Sequence, residues 1–168
     1  MSQNNEQEIL RVLAIDPHRK GFGYAIVEAP DELIDWGNKE VTGDKNWSTL
    51  LQIHELIEEY QPSLLLVEDT ADSHRCERIR ELIDRIVVQA VSEGVRTCKI
   101  SQTMVRKAFA TVGCATKEEI ARTLARYRSE LARSLPASRK PWTSEDPRMS
   151  IFDSVAMTFT YFHFQKVE

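Results

Sequence analysis

The stretch Val12-Leu13-Ala14-Ile15-Asp16-Pro17 decides how the chain is read. Four consecutive apolar residues with little alternation indicate a strand covered on both faces, and the run stops on a carboxylate. A second run, Leu64-Leu65-Leu66-Val67, ends the same way at Glu68. A third acid, Asp153, lies inside the amphipathic segment Met149-Ser150-Ile151-Phe152-Asp153-Ser154-Val155-Ala156-Met157. A carboxylate is costly to carry into an interior. Three of them gathered at its margin would repel one another unless a cation sat between them, and a magnesium-type ion with hard oxygen ligands is the simplest choice. The residues therefore predict a metal-dependent hydrolase, with phosphodiesters as the expected substrate class.

Working outward, residues 9–16 read as the first strand. Pro17, Gly21 and Gly23 make a turn into a second strand, Phe22–Val27, paired with the first as a hairpin. Leu33 to Val41 reads as a third, edge strand. After Asn46, Leu50, Ile53, Leu56, Ile57 and Tyr60 fall on one helical face, and Pro62 marks the exit. The strand 63–68 follows, then a helix from Cys76 to Glu93 with Ile79, Leu82, Ile83, Ile86, Val87, Ala90 and Val91 inward and Gly94 closing it. Val95–Ile100 is a fifth strand. The rest reads as helical: 105–110, 116–134, and a last helix from Pro147. Strands joined through a helix run parallel, so the product is an α/β domain, a mixed five-stranded sheet with helices on both faces.

The chain has 168 residues, which suits one domain, 9–168, behind a disordered polar tail, 1–8. Its 42% hydrophobic and 29% charged content is that of a globular protein, and no apolar run reaches membrane-spanning length. The N-terminus lacks the basic start and apolar stretch of a secretory signal. Cys76, Cys98 and Cys114 are odd in number and form no CxxC pair, which points to reduced thiols and a cytoplasmic protein. The net charge of -4 hides an asymmetry. Residues 96–140 hold eleven Lys and Arg against three acids, a local charge of +8 that leaves -12 on the remainder. Such a segment suits either a nucleic-acid contact or a solvated helical face.

Asp16 and Glu68 both stand at C-terminal ends of predicted strands, where open α/β sheets place their binding crevice. If those strands are neighbours the carboxylates meet, with Asp153 projecting from a helix toward the same place. Two metal ions about 3.5–4 Å apart, bridged by such groups, can activate water and stabilise a leaving oxygen. Taken one at a time, each acid has a plainer account: an Asp-Pro turn, the start of a loop, a solvated helix residue. Asp146 before Pro147 suits an N-cap. Seven residues of helix rise about 10 Å, too far for Asp146 and Asp153 to share an ion on one helix, though Glu145 or Asp146 could reach the site if the helix starts later.

At these positions the chain resembles the RuvC family of Holliday-junction resolvases, within the ribonuclease H-like superfamily, from about residue 10 to residue 164. Asp16-Pro17 with Gly23-Tyr24 is similar to the family's opening strand and turn, and Glu68 to its second acid. Ser101 to Lys107, Val112-Gly113 and Lys117 are similar to its basic region, and Asp153-Ser154-Val155-Ala156 to its last acid and following helix. The resemblance implies a ribonuclease H-like fold, magnesium or manganese as cofactor, a homodimer, and cleavage of branched DNA. It implies Asp16, Glu68 and Asp153 as metal ligands, and Lys107 and Lys117 as catalytic lysines at the scissile strand, where negative charge builds in the transition state. Three positions depart from the family pattern: Ser150 replaces another aspartate, His18 a frequent glycine, and Ala71 an aromatic used at the junction centre. His18 is read as a proton carrier or as an exposed loop residue.

Arg19 and Lys20 after Asp16, and Arg75 and Arg78 near Glu68, would join Arg106, Lys107, Lys117 and Arg122 in a phosphate-tracking rim. Arg80 is expected to pair along its own helix with Glu77, Glu81 or Asp84. Trp36, Trp47 and Trp142 are read as packing residues. The competing reading, prompted by Ser150 and Ala71, is a nuclease-fold protein without catalysis that binds nucleic acid or a protein.

Overall fold

Five strands form one mixed sheet in the order β3-β2-β1-β4-β5. They are β1 (Arg11–His18), β2 (Gly21–Glu28), β3 (Glu32–Glu40), β4 (Leu64–Glu68) and β5 (Arg96–Ile100). The computed structural model describes residues 9–29 and 31–166. The tail expected over residues 1–8 lies outside the described residues. β1, β2 and β3 form an antiparallel meander, while β4 runs parallel to β1 and β5 parallel to β4. A hairpin needs only a tight turn, but a parallel neighbour needs a crossover. Helix α1 (Lys45–Tyr60) and helix α2 (Glu77–Ser92) supply the two crossovers.

Side chains alternate along each strand, and this sets what each face can do. Leu13, Ile15, Leu65 and Val67 point to one face, covered by Ile53, Leu56 and Ile57 of α1 and Ile79, Leu82, Ile83 and Ile86 of α2. Val12, Ala14, Leu64 and Leu66 point to the other. There helix α5 (Met149–Gln165) lies on β1 and β2, with α3 (Gln102–Ala110) and α4 (Lys117–Tyr127) packed against it. By the same alternation Asp16 belongs with Val12 and Ala14, and Glu68 with Leu64 and Leu66. Both carboxylates therefore face α5. That helix is buried almost all round, so its hydroxyls turn to its own backbone: Ser154 donates to the Ser150 carbonyl at 2.8 Å and Thr160 to that of Ala156 at 2.7 Å.

Gly23 sets how closely α5 approaches. It is the antiparallel partner of Asp16, so any side chain there would point at α5 as Asp16 does. A Cβ at this position would lie 2.3 Å from Ser150 Oγ and 2.4 Å from the Ser150 carbonyl carbon. Backbone on both sides cannot yield, so Gly23→Ala is expected to push the start of α5 off the sheet. Overpacking of this kind costs about 1–3 kcal/mol or more. Urea unfolding of the variant measures it, and an unchanged midpoint would contradict the close approach.

Several expectations give way. The helix predicted over 116–134 stops at Tyr127; Arg128 is extended (φ -120, ψ 95) and a 3-10 turn, Ser129–Ser134, follows. No glycine or proline announced that break. Asp146 does not cap the last helix. Its carboxylate accepts from the Arg148 backbone N–H at 2.9 Å and pairs with the Arg148 guanidinium, and α5 begins two residues later than Pro147. In α2, Val91 is 58% exposed instead of inward, because the sheet covers a narrower stripe than the pattern allows. Trp36 packs against the second core, but Trp47 and Trp142 stand in solvent. Arg80 donates to the Ser73 carbonyl at 2.7 Å, not to an acid of its own helix.

Candidate active site

The register pairs Ala14 of β1 with Leu66 of β4. Two residues further along each strand, Asp16 and Glu68 stand side by side on the α5 face. Asp153 comes to them from α5, one turn beyond Ser150. All three line one cavity of about 330 Å³, together with Arg75, Gln102, Arg106 and Lys117. Asp16 and Glu68 are each only 5% exposed, while Asp153 is half-buried. The three acids expected to act together thus line the same cavity.

The charge between the acids comes from the chain itself. Arg75 reaches back from the loop before α2 and bridges the two strand-end carboxylates: its Nη2 lies 2.6 Å from Asp16 Oδ1 and its Nε 2.7 Å from Glu68 Oε2. A third guanidinium bond, 2.9 Å, goes to the Pro17 carbonyl. Two neighbouring buried carboxylates suit a planar fork of donors better than a single ammonium. Burial opposes the Arg75 charge, but Asp16 and Glu68 outweigh it and hold the guanidinium protonated. Arg75, expected in a phosphate-tracking rim, is turned to the two acids and the Pro17 carbonyl. Gln102, the first residue of α3, steadies the other Glu68 oxygen at 2.8 Å.

Lys117 plays the same part for the third acid. Its Nζ lies 2.9 Å from Asp153 Oδ2 and 2.7 Å from Glu145 Oε1. A lysine in the first turn of a helix is opposed by the helix dipole, and α4 begins at Lys117 behind the capping box of Thr116 and Glu119. The two carboxylates offset that penalty. Burial also works against the ammonium, yet Asp153 and then Glu145 raise Lys117 well above its ordinary value. Asp153 itself is pushed up to about 8, by burial first and by the Asp16 charge second, with Lys117 pulling the other way.

The donors are all hard oxygens, which suits a magnesium- or manganese-class ion. With all four ionised, Asp16, Glu68, Asp153 and Glu145 face two ion-paired cations, Arg75 and Lys117, and leave two negative charges, the charge of one divalent ion. In placement, among the described residues no three acids stand grouped for a metal ion. The reason is on view: Arg75 and Lys117 each draw carboxylates to themselves. The chemistry fits an ion, and the ion would compete with Arg75.

Other expected site residues fall as follows. Glu145 reaches the site through Lys117, whereas Asp146 is turned away to Arg148. Arg106 lines the cavity mouth; Lys107, next to it on α3, is exposed and does not line the cavity. Arg19 and Lys20 are exposed in the β1–β2 turn, and Arg122 is exposed on α4. Arg78 is half-buried and donates to Asn46 Oδ1 at 2.9 Å. His18 is neither open nor at the acids. Its Nδ1 accepts from the Lys20 backbone N–H at 3.2 Å, which leaves Nε2–H to donate to Asn38 Oδ1 at 2.6 Å. Ser150 hydrogen-bonds the Pro147 carbonyl at 2.6 Å and adds no charge to the cavity. Gln102 is the member that sequence reasoning missed; its only signal is its place directly after the end of β5, next to the strand that carries Glu68.

No family model matches the chain. It is 27% identical over 122 residues to the crossover junction endodeoxyribonuclease RuvC of Geobacter sulfurreducens, covering 66% of this chain and 74% of that protein. To the protein of the same name from Geobacter metallireducens it is 26% identical over the same length and shares. Among solved structures it is similar to Thermus thermophilus RuvC, with a TM-score of 0.66 and 18% identity over 94% of this chain and 96% of that one. It is also similar to T. thermophilus RuvC in complex with a Holliday junction substrate, with a TM-score of 0.65 and 17% identity over the same shares. The resemblance read from Asp16-Pro17, Glu68 and Asp153 is to these proteins, and the ribonuclease H-like fold expected from it is the fold observed.

Proposed function

We propose that this chain is an endonuclease of resolvase type that hydrolyses phosphodiesters in branched DNA with a divalent metal ion. The observation that carries the proposal is the meeting of Asp16, Glu68 and Asp153 in one cavity whose wall also holds Lys117 and Arg106. The relatives named as crossover junction endodeoxyribonucleases support the substrate class. Asp16, Glu68 and Asp153 would hold magnesium or manganese, with Glu145 in reserve behind Lys117 and Asp146 the weaker candidate. When bound, such an ion activates water and offsets charge on the phosphate.

The chain's own groups do the rest. Gln102 holds the Glu68 carboxylate in one orientation. Lys117, kept charged by its two acids, stands where a phosphate entering the cavity gains negative charge. Arg106 at the mouth and Lys107 beside it would meet the flanking phosphates, with Arg19, Lys20 and Arg122 further out. Arg75 must release at least one carboxylate before an ion is held by both strands.

The test is a labelled four-way junction with magnesium, set beside duplex, single-stranded DNA and RNA of matching sequence. Nicking of the junction that stops with chelator is expected; a junction left intact by micromolar protein would overturn the proposal. A second reading, binding without catalysis, is favoured by Arg75 on the acids and by Ser150. A calorimetric manganese titration separates the two, since only the nuclease reading requires ion binding that disappears with Asp16.

A homodimer belongs to the same proposal. The inward face of α2 is used on its own sheet, so it is not the dimer surface. Val88 (69% exposed) and Val91 on α2, with Trp47 (62%) and Leu51 on α1, face outward instead. Exposed apolar groups of this size are suited to a second copy. Sedimentation of the protein and of Val88→Glu is expected to show a dimer weakened by the added charge; a monomer at all concentrations would reject it. No described helix is long and apolar enough to cross a membrane. We infer a cytoplasmic protein from the number and spacing of Cys76, Cys98 and Cys114, which form no CxxC pair.

A further inference from the structure

A second concavity opens beside the acid cavity, and Lys117 lines both. It measures about 680 Å³ and lies between α4 and the loop that precedes α5. Arg122, Arg139, Lys140 and Trp142 stand on its wall. Nearby, Lys117, Glu145, Asp146 and Arg148 satisfy one another or Asp153. Arg122, Arg139 and Lys140 have no such partner: among the described residues none of the three forms an ion pair.

Trp142 is 78% exposed, the most exposed large apolar side chain among the described residues. An indole buries more apolar surface than almost any other residue, so leaving it in solvent forgoes a substantial gain. The loop does not leave it out by default. A formed turn presents it, with the Thr143 backbone N–H and hydroxyl both bonded to the Lys140 carbonyl at 3.0 and 2.8 Å. Lys140 Nζ sits 5.4 Å from the indole centroid. Cations with no acid partner beside an exposed indole are what a single strand of nucleic acid requires, phosphates on the charges and a base on the ring. An acidic peptide would use the cations and leave the indole face without a partner.

We propose that this groove binds unpaired nucleotides of the DNA strand that leaves the acid cavity, with Trp142 stacking on a base. This inference rests on the nuclease reading. The experiment measures binding of a four-way junction, its matched duplex and a short oligothymidylate to wild type, Trp142→Ala and Trp142→Phe, without divalent ions. Loss of one stacked base is expected to weaken junction and oligothymidylate binding about 10-fold in Trp142→Ala, with duplex binding unchanged and Trp142→Phe close to wild type. Oligothymidylate is also expected to quench wild-type tryptophan emission, and Trp142→Phe to lose that quenching. Equal binding by wild type and Trp142→Ala would overturn the inference while leaving the nuclease reading in place. A wild type that binds none of the three DNAs would sink both, and tighter capture of polyglutamate than of oligothymidylate would assign the groove to an acidic protein and overturn the inference alone.

Discussion

Arg75→Ala is expected to lower the stability of the metal-free protein by about 3–5 kcal/mol, the usual cost of removing one partner from a buried ion pair. Asp16 and Glu68 are nearly inaccessible to water and stand on adjacent strands. Without the guanidinium the two carboxylates face each other in the interior with no ion-paired cation between them. Urea unfolding in chelator measures the loss. Arg75→Lys should recover only part of it, since one ammonium cannot bridge both carboxylates as the fork does. Added manganese should then raise the stability of Arg75→Ala more than that of wild type, because ligand binding to the folded state stabilises it and the competing cation is gone. Equal manganese effects on the two proteins would show that Arg75 and the ion do not contend for the same oxygens.

Asp16→Asn is expected to abolish junction cleavage, with a fall of about 1,000-fold or more if the ion contributes several kcal/mol to the barrier. Asp16 is the acid with most to lose: it bonds Arg75, neighbours Glu68, and its charge reaches Asp153 and Lys117. Asparagine keeps the shape and one acceptor for Arg75, so the variant should stay folded, as circular dichroism would check. It should also alter the pH behaviour of the metal-free protein. Asp153 is raised above its unfolded value, so what it contributes to stability is fully present below pH 3.8 and is lost as pH rises toward about 8. Removal of the Asp16 charge lowers Asp153 and narrows that window from its upper end. Retained cleavage by a folded Asp16→Asn protein would displace Asp16 from the chemistry altogether.

The parts of this molecule that were legible in the chain are those that depend on neighbours along it. Unbroken apolar runs ending at Asp16 and Glu68 mark interior strands, because water is excluded from both sides of them. The spacing of Ile79, Leu82, Ile83 and Ile86 marks one helical stripe, because only that spacing lays apolar surface on a sheet. From these a mixed five-stranded sheet followed, but that β1 and β4 are neighbours, so that Asp16, Glu68 and Asp153 line one cavity, was decided across space. What the chain alone left open was decided across space. Arg75 is seven residues from Glu68 and fifty-nine from Asp16, and only the returning loop puts its guanidinium between them. Trp142 could be read as packing until the turn at Lys140–Thr143 was seen to hold it in solvent. Local pattern registers which surfaces must leave water. Which charge settles against which is set by electrostatics between residues far apart in the chain, inside a cavity that exists only once the chain has folded.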